Sequence, residues 1–412
     1  MTDLGFDGDH AMISFIGRRL IGGLITLVLF ITALFFLVNV LIPGDFTSQF
    51  IMTASEREAL QGSLGIDRPL GEQFWSWMSS VASLDLGTSF GGEPVWTAVR
   101  QAMATTLFVF VAATLIAFPV GYWMGRTMAW NQRPWLTVPN TALAVLFFTA
   151  FPPAIAFLVG RGITNVLSPQ ALRDLVSLDG DIWSFDRGNR FRPPPTTVDS
   201  LNETLTPAQV LWRMLLITIG LVVIALLLRL ILRTVTRFRF TPGITAAILS
   251  IGSVIGWRLS GFSSQAFDVA ASMVILIGGL VLLTYGEILL VTEAAMFDTR
   301  DEDFILTARA KGLPEGVVRD RHSARAALLP VLSRLVVSVP YFLTGLAILE
   351  YMFSVQGGLG NLIFHAINVQ DTPLIVGAMV IVGVITLVLR LVLELSIAAL
   401  DPRVRLKTGA AP

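Results

Sequence analysis

The side chains best suited to polar contacts with another molecule lie in one charged stretch, residues 298–330, between two apolar segments. Thr299 and Glu302 have the spacing of a capping box, which predicts that a helix starts there. Gly312, with Pro314 two residues later, predicts a left-handed cap and the end of that helix. The stretch is therefore predicted to form a helical hairpin, which we call the foot and which is too polar to enter a bilayer.

The second helix of the foot is predicted over 315–329, with an ion pair at spacing four between Glu315 and Arg319. Two interpretations follow from spacing alone. The foot is either a solvated loop with ordinary caps or a surface that binds another protein. The same choice applies to His322, since a single histidine on an amphipathic helix is more often structural than functional.

Several kinds of chemistry are excluded because the residues that they need are absent or lie far apart in the sequence. The two lysines, Lys311 and Lys407, do not follow a glycine, so the chain has no P-loop with which to bind ATP. The absence of cysteine excludes disulfides and thiolate catalysis. His10, His322 and His365 are too scattered for a metal site. We therefore predict no catalytic residue and no metal site, and a membrane-bound enzyme is a distant third hypothesis.

The composition is typical of a membrane protein. Apolar residues make up 54% of the 412 residues, and charged residues make up 14%, whereas soluble domains carry about 25% charged residues. A soluble fold cannot hide this much apolar surface, since even a large domain leaves about a quarter of its area in water. The 29 basic and 29 acidic residues give no basic excess for nucleic acid. We expect an all-α integral membrane protein.

About eight apolar segments are long enough to cross a bilayer as helices. The first is longer than the core of a signal peptide, so we expect it to remain as an anchor. The segment 241–261 is the weakest, because its glycine and serine content also fits a re-entrant or interfacial segment. The predicted spans are 15–42, 102–125, 135–160, 207–232, 241–261, 266–290, 331–353 and 373–400.

Arginine and lysine are enriched in the segments that this order of spans places inside the cell: 126–134, 229–241, 291–334 and the tail. By the positive-inside rule, both termini are therefore predicted to be cytoplasmic. The predicted division starts with a cytoplasmic N-terminus (1–14), a first transmembrane helix (15–42), an external segment (43–101) and transmembrane helices 2 and 3 (102–160). An external insert (161–206) and an inserted transmembrane pair (207–261) follow. The chain then continues with a permease core (262–400), which contains the foot, and a cytoplasmic tail (401–412).

Short motifs in a fixed order give the chain a family resemblance. The run Thr-Ala-Arg-Ala-Lys-Gly-Leu over 307–313, followed by His322 and Arg325, resembles the EAA loop of ABC importer permeases of the dipeptide, oligopeptide and nickel class. Further matches are Arg18-Arg-Leu20, Ile42-Pro-Gly-Asp45, Leu64-Gly-Ile-Asp-Arg-Pro-Leu70, Asp85-Leu-Gly87, Ser89-Phe90, Glu350, Gly358-Leu-Gly360, Asp371, Pro373 and Leu400-Asp-Pro-Arg-Val-Arg405. The family usually has six spans, and residues 161–261 would add a loop and two more.

The resemblance implies a multi-pass permease subunit in the inner membrane of a prokaryote. Its partners would be a second homologous permease, two cytosolic ATPase subunits and an extracytoplasmic binding protein. The ATPases would bind ATP and Mg²⁺, and this chain would need no cofactor. The substrate class stays open among peptide, nickel, oligosaccharide and other solutes. The foot would dock on an ATPase through Thr307, Ala308, Arg309, Ala310, Lys311, Gly312, Leu313, Arg319, His322 and Arg325.

The alternative function is a self-sufficient ion-coupled transporter or channel, which charges inside spans would indicate. Glu287 is expected near a helix end, where burial costs least, and Arg390 and Glu394 are expected to form a structural ion pair. The near absence of acidic residues within the spans therefore disfavours this alternative. Prolines within spans are consistent with bends around a central path or with ordinary packing kinks. The candidate pathway residues are Glu350, Pro152 and Pro340.

Overall fold

The computed structural model describes residues 6–37, 68–131, 133–149, 152–155, 184–185, 191–192, 207–235, 242–353 and 357–400. Within these ranges the chain is almost entirely helical. The longer helices are α1 (Phe6–Phe36), α2 (Leu70–Ala82), α3 (Val95–Asn131), α4 (Pro134–Thr149), α5 (Pro207–Val235), α6 (Pro242–Leu259), α7 (Ser263–Asp298), α8 (Asp303–Ala310), α10 (Ala324–Met352), α11 (Leu359–Asn368) and α12 (Thr372–Leu400). A short α9 (Glu315–Val317) precedes α10. Two-residue strands β1 (Ser184–Phe185) and β2 (Phe191–Arg192) pair antiparallel.

Five helices in the described ranges are long and apolar enough to cross a membrane: Gly17–Phe36, Val95–Asn131, Met273–Asp301, Glu315–Met352 and Thr372–Ala398. Pro134–Thr149 and Gln209–Ala225 are shorter apolar helices. Each predicted span overlaps a helix, which confirms an α-helical membrane protein. The count of eight spans and the side of each terminus stay predictions. Most of the external insert, the end of the first span and the cytoplasmic tail lie outside the described residues.

The second helix of the foot and the seventh predicted span form one continuous helix. The chain is helical without interruption from Glu315 to Met352, so the predicted helix over 315–329 runs directly into the span. Pro330 and Pro340 both lie inside α10. Proline removes one backbone hydrogen bond, but a spanning helix tolerates this loss because its neighbours satisfy the freed groups.

The described residues within 1–100 and 362–400 form one compact unit, in which α1, α2 and α12 share an apolar core. Asp371 caps the start of α12: its Oδ1 accepts the N–H of Leu374 at 3.1 Å. Its Oδ2 accepts the Ser89 hydroxyl at 2.5 Å and the N–H of Phe90 at 3.0 Å. One buried carboxylate thus ties the segment before α3 to a helix start. The core residues are Ile31, Leu34, Val81, Val376 and Val380.

The ion pair predicted on the last helix is present in the same unit. Arg390 Nε lies 3.0 Å from Glu394 Oε1, one turn further along α12. Glu394 also accepts a hydrogen bond from Arg19 of α1 at 3.2 Å. The pair therefore links two helices as well as supporting one.

Residues 101–361 form the second unit, in which α7 packs against α4, α5 and α10. Glycine makes the closest approaches. A Cβ built on Gly125 of α3 would lie 2.7 Å from the carbonyl oxygen of Leu289 on α7, and one on Gly286 of α7 would collide with the carbonyl oxygen of Ala144 on α4. Because apolar side chains gain little by leaving lipid, close backbone packing of this kind drives helix association in membranes.

Replacing Gly286 by alanine should destabilise the fold, because the added methyl group meets backbone rather than a movable side chain. We expect a loss of about 1–3 kcal/mol, typical of overpacking, and a clearly lower midpoint of thermal unfolding in detergent. Gly278→Ala on the same helix is the matched control, since a Cβ there meets no atom within 4 Å. Equal stability of the two variants would contradict the close packing of α7 on α4.

Candidate functional site

The turn of the foot is built as the sequence predicts. After α8, Gly312 has φ +72°, a conformation that costs glycine little and other residues more. The N–H of Leu313 reaches the carbonyl of Ala308 at 3.4 Å, and the N–H of Gly312 reaches that of Arg309 at 2.8 Å. These two bonds form a Schellman motif, which satisfies the last carbonyl groups of the helix.

The predicted capping box at the start of the foot is wrong. Thr299 is still in a helical conformation, in a 3₁₀ turn (Thr299–Asp301) that extends α7. Its hydroxyl bonds to the carbonyl of Met296 at 3.0 Å and pairs with the hydroxyl of Ser323 at 2.7 Å. A capping residue needs an extended backbone, and Glu302 has that conformation instead. Thr299 therefore joins the two ends of the foot.

The ion pair predicted between Glu315 and Arg319 does not form. Glu315 pairs with Arg309 across the turn, with Nε and Oε1 3.0 Å apart. Arg319 donates to the adjacent Asp320 at 2.6 Å. The reason is that residues Val318–Ser323 form a π-helical turn, which is wider than an α-helical turn and removes the regular spacing of four that the prediction assumed.

A stripe on α3, consisting of Tyr122, Arg126 and Trp130, braces the foot at three points. The Tyr122 hydroxyl donates to the carbonyl of Ala324. Arg126 Nη1 lies 3.5 Å from Asp320 Oδ1. The guanidinium of Arg309 lies 5.3 Å from the centre of the Trp130 ring, within the range of a cation–π contact. Residues four apart share one face of a helix, so a single helix face holds both arms of the hairpin.

Apolar packing completes the support. Ile305, Ala308 and Val318 are buried together inside the foot, and Trp130 and Leu313 pack against them. Trp130 also packs against a second buried cluster that joins α3, α7 and α10: Ala129, Ala295, Met296, Ala324 and Ala327. The indole ring of Trp130 therefore contacts both the foot and the cluster that joins α3, α7 and α10.

The structure brings all ten predicted coupling residues onto this one hairpin, in different settings. Ala308 is buried and serves the internal core. Arg309, Leu313, Arg319 and His322 are partly buried. The remaining residues are exposed and available to a partner: Thr307, Ala310, Lys311, Gly312 and Arg325. Among the described residues, no cluster of His, Asp and Glu has the geometry to hold a metal ion.

The stripe on α3 is the part of the site that sequence reasoning missed. Arg126 counted only as a basic residue in an inner segment, and Tyr122 and Trp130 were not singled out. The available signal was their regular spacing of four at the end of an otherwise apolar helix. That spacing indicates a polar face in need of a partner, although it does not identify the foot as that partner.

The pathway candidates lie in different surroundings. Glu350 is fully buried near the end of α10. Its Oε1 accepts the Thr106 hydroxyl and its Oε2 accepts the N–H of Gly360, both at 2.7 Å. Pro152 is buried and Pro340 is exposed on α10. Glu350 therefore supports the start of α11 in this structure.

The glycines of the Gly358-Leu-Gly360 motif have a structural explanation in the same place. A Cβ on Gly358 would lie 2.5 Å from the carboxyl carbon of Glu350, and one on Gly360 would collide with the backbone of Ala347. The Thr106 hydroxyl also accepts the N–H of Leu359 at 2.9 Å. Glu350 and the Gly358-Leu-Gly360 motif, which are separate in the sequence, therefore pack against each other.

Glu287 lies away from the helix end, contrary to prediction. The helix α7 continues to Asp298 instead of ending near 290, so Glu287 lies about three turns before its end. Its side chain is 3% exposed and bonds to Arg334 of α10, with Nε and Oε1 2.7 Å apart. Glu287 is therefore a buried acidic residue within a helix, paired with an arginine of the neighbouring helix.

Comparison with known proteins agrees with this architecture. The family of binding-protein-dependent transport system inner membrane components matches residues 206–406, and its N-terminal family model matches 12–110. A protein named as a peptide permease in Brucella suis is 25% identical over 401 residues, covering 96% of this chain and 99% of the relative. The dipeptide transport system permease protein DppB of Lactococcus lactis is 24% identical over 400 residues, covering 96% and 100%.

The chain belongs to the family of binding-protein-dependent transport system inner membrane components. It is a multi-pass inner membrane protein and the permease subunit of an ABC importer. This confirms the resemblance inferred from the motifs. It also decides against an ion-coupled carrier, for which the buried Glu287 would otherwise be an argument.

Replacing Trp130 by alanine should loosen the foot without unfolding the whole protein. The variant loses the ring that contacts Arg309 and that packs against two apolar clusters. The free energy of local unfolding of the foot should therefore fall by about 1–3 kcal/mol. Trypsin should then cut after Lys311 about ten to a hundred times faster. Trp135→Ala is the control, because Trp135 on α4 is 70% exposed. Equal cleavage of both variants would contradict the bracing role of Trp130.

Proposed function

We propose that the foot is the coupling element of this permease and that it docks on a cytosolic ATPase subunit. The observation that carries the proposal is the set of contacts that hold the hairpin in one shape. A Schellman turn, an internal apolar core and three contacts with α3 fix its shape. A lever must be stiff to transmit movement, and a solvated loop without a partner would need none of these contacts.

The route of transmission follows from covalent continuity. The foot begins where the 3₁₀ turn Thr299–Asp301 extends α7, and it ends by continuing into α10 without a break. The hydroxyl pair of Thr299 and Ser323 joins these two ends. A displacement of the turn at Gly312 would therefore move α7 and α10 together, and α3 would follow through Tyr122.

The proposed topology has eight spans with both termini in the cytoplasm and the foot on the same side. Its support is the distribution of arginine and lysine. Arg334 has to be removed from the count of the inner segment 291–334, because it pairs with Glu287 between two helices. Six basic residues remain there, so the assignment does not depend on it: Arg300, Arg309, Lys311, Arg319, Arg321 and Arg325.

The proposed substrate is a small peptide that a binding protein delivers from outside. The support is the naming of several full-length relatives as peptide or dipeptide permeases. A second homologous permease would form the other half of the path, and two ATPase subunits would bind ATP and Mg²⁺. Nickel or an oligosaccharide as the transported solute would contradict the substrate class while leaving the coupling role intact.

Gly312→Val should uncouple ATP hydrolysis from transport. A β-branched residue at positive φ costs about 1–2 kcal/mol, and the space around this position is open, so the effect is on the turn and not on packing. In proteoliposomes containing the assembled importer, uptake should fall at least about tenfold while basal ATPase activity remains.

Gly316→Val is the matched control for this test. Gly316 also has open space around it, but its φ lies outside the left-handed range. Uptake by this variant should stay near that of the unaltered protein. If Gly312→Val also transports normally at normal expression, the turn is not where movement is transmitted.

Single cysteines test the topology cleanly, since the chain has none of its own. An impermeant thiol reagent added to intact cells should label Val369→Cys, which is 53% exposed between α11 and α12. It should not label Asp301→Cys, on the exposed surface of the foot, until the membrane is permeabilised. External labelling of a cysteine at position 236 would contradict the eight-span order.

A further inference from the structure

An ion pair joins α7 and α10 one helical turn beyond the end of the foot. Arg334 Nε donates to Glu287 Oε1 at 2.7 Å, and the hydroxyl of Ser338 donates to the same oxygen at 2.5 Å. Glu287 is buried, whereas the side chain of Arg334 is 50% exposed. Arg334 lies in the first turn of the predicted span 331–353, and charged side chains within spans mostly pair with one another or face water. The half-exposed side chain of Arg334 therefore requires an aqueous surrounding or a ligand.

The geometry of the pair leaves binding capacity on both partners. A structural arginine–carboxylate pair is frequently bidentate, with two parallel N–H donors on two oxygens. Here one oxygen of Glu287 takes both donors, and within the described part of the chain its Oε2 is buried without a hydrogen-bond partner. The contact of Arg334 uses Nε, so its Nη groups remain for a second, planar acceptor.

The exposed face of α10 continues from Arg334 in regular helical steps. Val337, Tyr341 and Thr344 are exposed at spacings of three and four, and the opposite face of the helix is buried. Pro340, predicted from sequence as a pathway residue, is also exposed on this face. Arg334 is the ionisable residue of this face, and ionisable residues within spans almost always face the bundle interior or a water-filled cavity.

We infer that Arg334 is a specificity-determining residue of the translocation path and binds the terminal carboxylate of the transported peptide. The inference rests on the proposed peptide substrate. Glu287 and Ser338 are positioning residues, which hold the Nε edge and turn the Nη groups toward the path. The guanidinium then meets the carboxylate of the substrate as a planar, two-point donor.

The pairing with Glu287 also explains how such a site would release its ligand. Transport requires binding that is strong enough to select a solute and weak enough to let it leave. An isolated arginine in this surrounding would hold an anion tightly. A nearby carboxylate cancels most of the net charge, so that recognition depends on hydrogen-bond geometry and the substrate departs.

The test compares a labelled dipeptide with its C-terminal amide in proteoliposomes that contain the complete importer and its binding protein. The ratio of the two uptake rates measures preference for the carboxylate. Arg334→Gln should lower this ratio at least about tenfold, corresponding to a lost charge-assisted hydrogen bond. Arg334→Lys should retain part of the preference, and Glu287→Gln should lower it through misplacement of Arg334. The binding protein is the same throughout, so a changed ratio comes from the permease.

Arg390→Gln is the matched control, because Arg390 is similarly exposed at 53% and also pairs with a glutamate on a spanning helix. The ratio of dipeptide to dipeptide-amide uptake should be the same in Arg390→Gln as in the unaltered importer. An unchanged ratio in Arg334→Gln would overturn the inference, and so would loss of the second permease from this variant, which would mean that Arg334 serves assembly. Failure of the unaltered importer to take up any peptide would instead overturn the proposed function.

Discussion

Contact between the Trp130 ring and the foot supports the arrangement of the hairpin, because this one side chain packs against two buried clusters. On one side the ring covers Ile305, Ala308 and Val318, and on the other it meets the alanine-rich joint of α3, α7 and α10. Arg309 lies over the ring and pairs with Glu315 across the turn. The polar hairpin is therefore continuous with α7 and α10 and is held against α3.

Buried carboxylates cap helices in both compact units. Glu350 accepts the N–H of Gly360 at the start of α11, and Asp371 accepts the N–H of Leu374 at the start of α12. The first N–H groups of a helix have no partner within it, and an anion there is also favoured by the helix dipole. In an apolar surrounding an unpaired N–H costs more than in water. Each of these carboxylates also bonds to a hydroxyl from another segment, Thr106 or Ser89, so capping and attachment are the same contact.

Glycine and charge have complementary uses within the second unit. Gly125 and Gly286 let α3, α4 and α7 approach to backbone contact, which gives a membrane protein the close packing that it cannot obtain from the hydrophobic effect. The pair of Glu287 and Arg334 is an exception to this packing, since it introduces charge where an apolar contact would be cheaper. Glu287 is buried and the side chain of Arg334 is half exposed, which is consistent with the proposed role of Arg334 in the path.

The sequence by itself determined the membrane class, the approximate helices, the left-handed turn at Gly312 and the family, because these depend on composition, on local backbone chemistry and on short motifs. Only the tertiary structure decided which side chains meet. The stripe on α3 contacts the foot, Glu350 lies against Thr106 and Gly358, and Glu287 pairs with Arg334. Two local predictions failed for the same reason. Thr299 and Glu315 each had a plausible partner nearby in the sequence, but an extended α7 and a π-helical turn placed other partners closer. Spacing rules assume one regular helix, and packing between helices decides where that regularity ends.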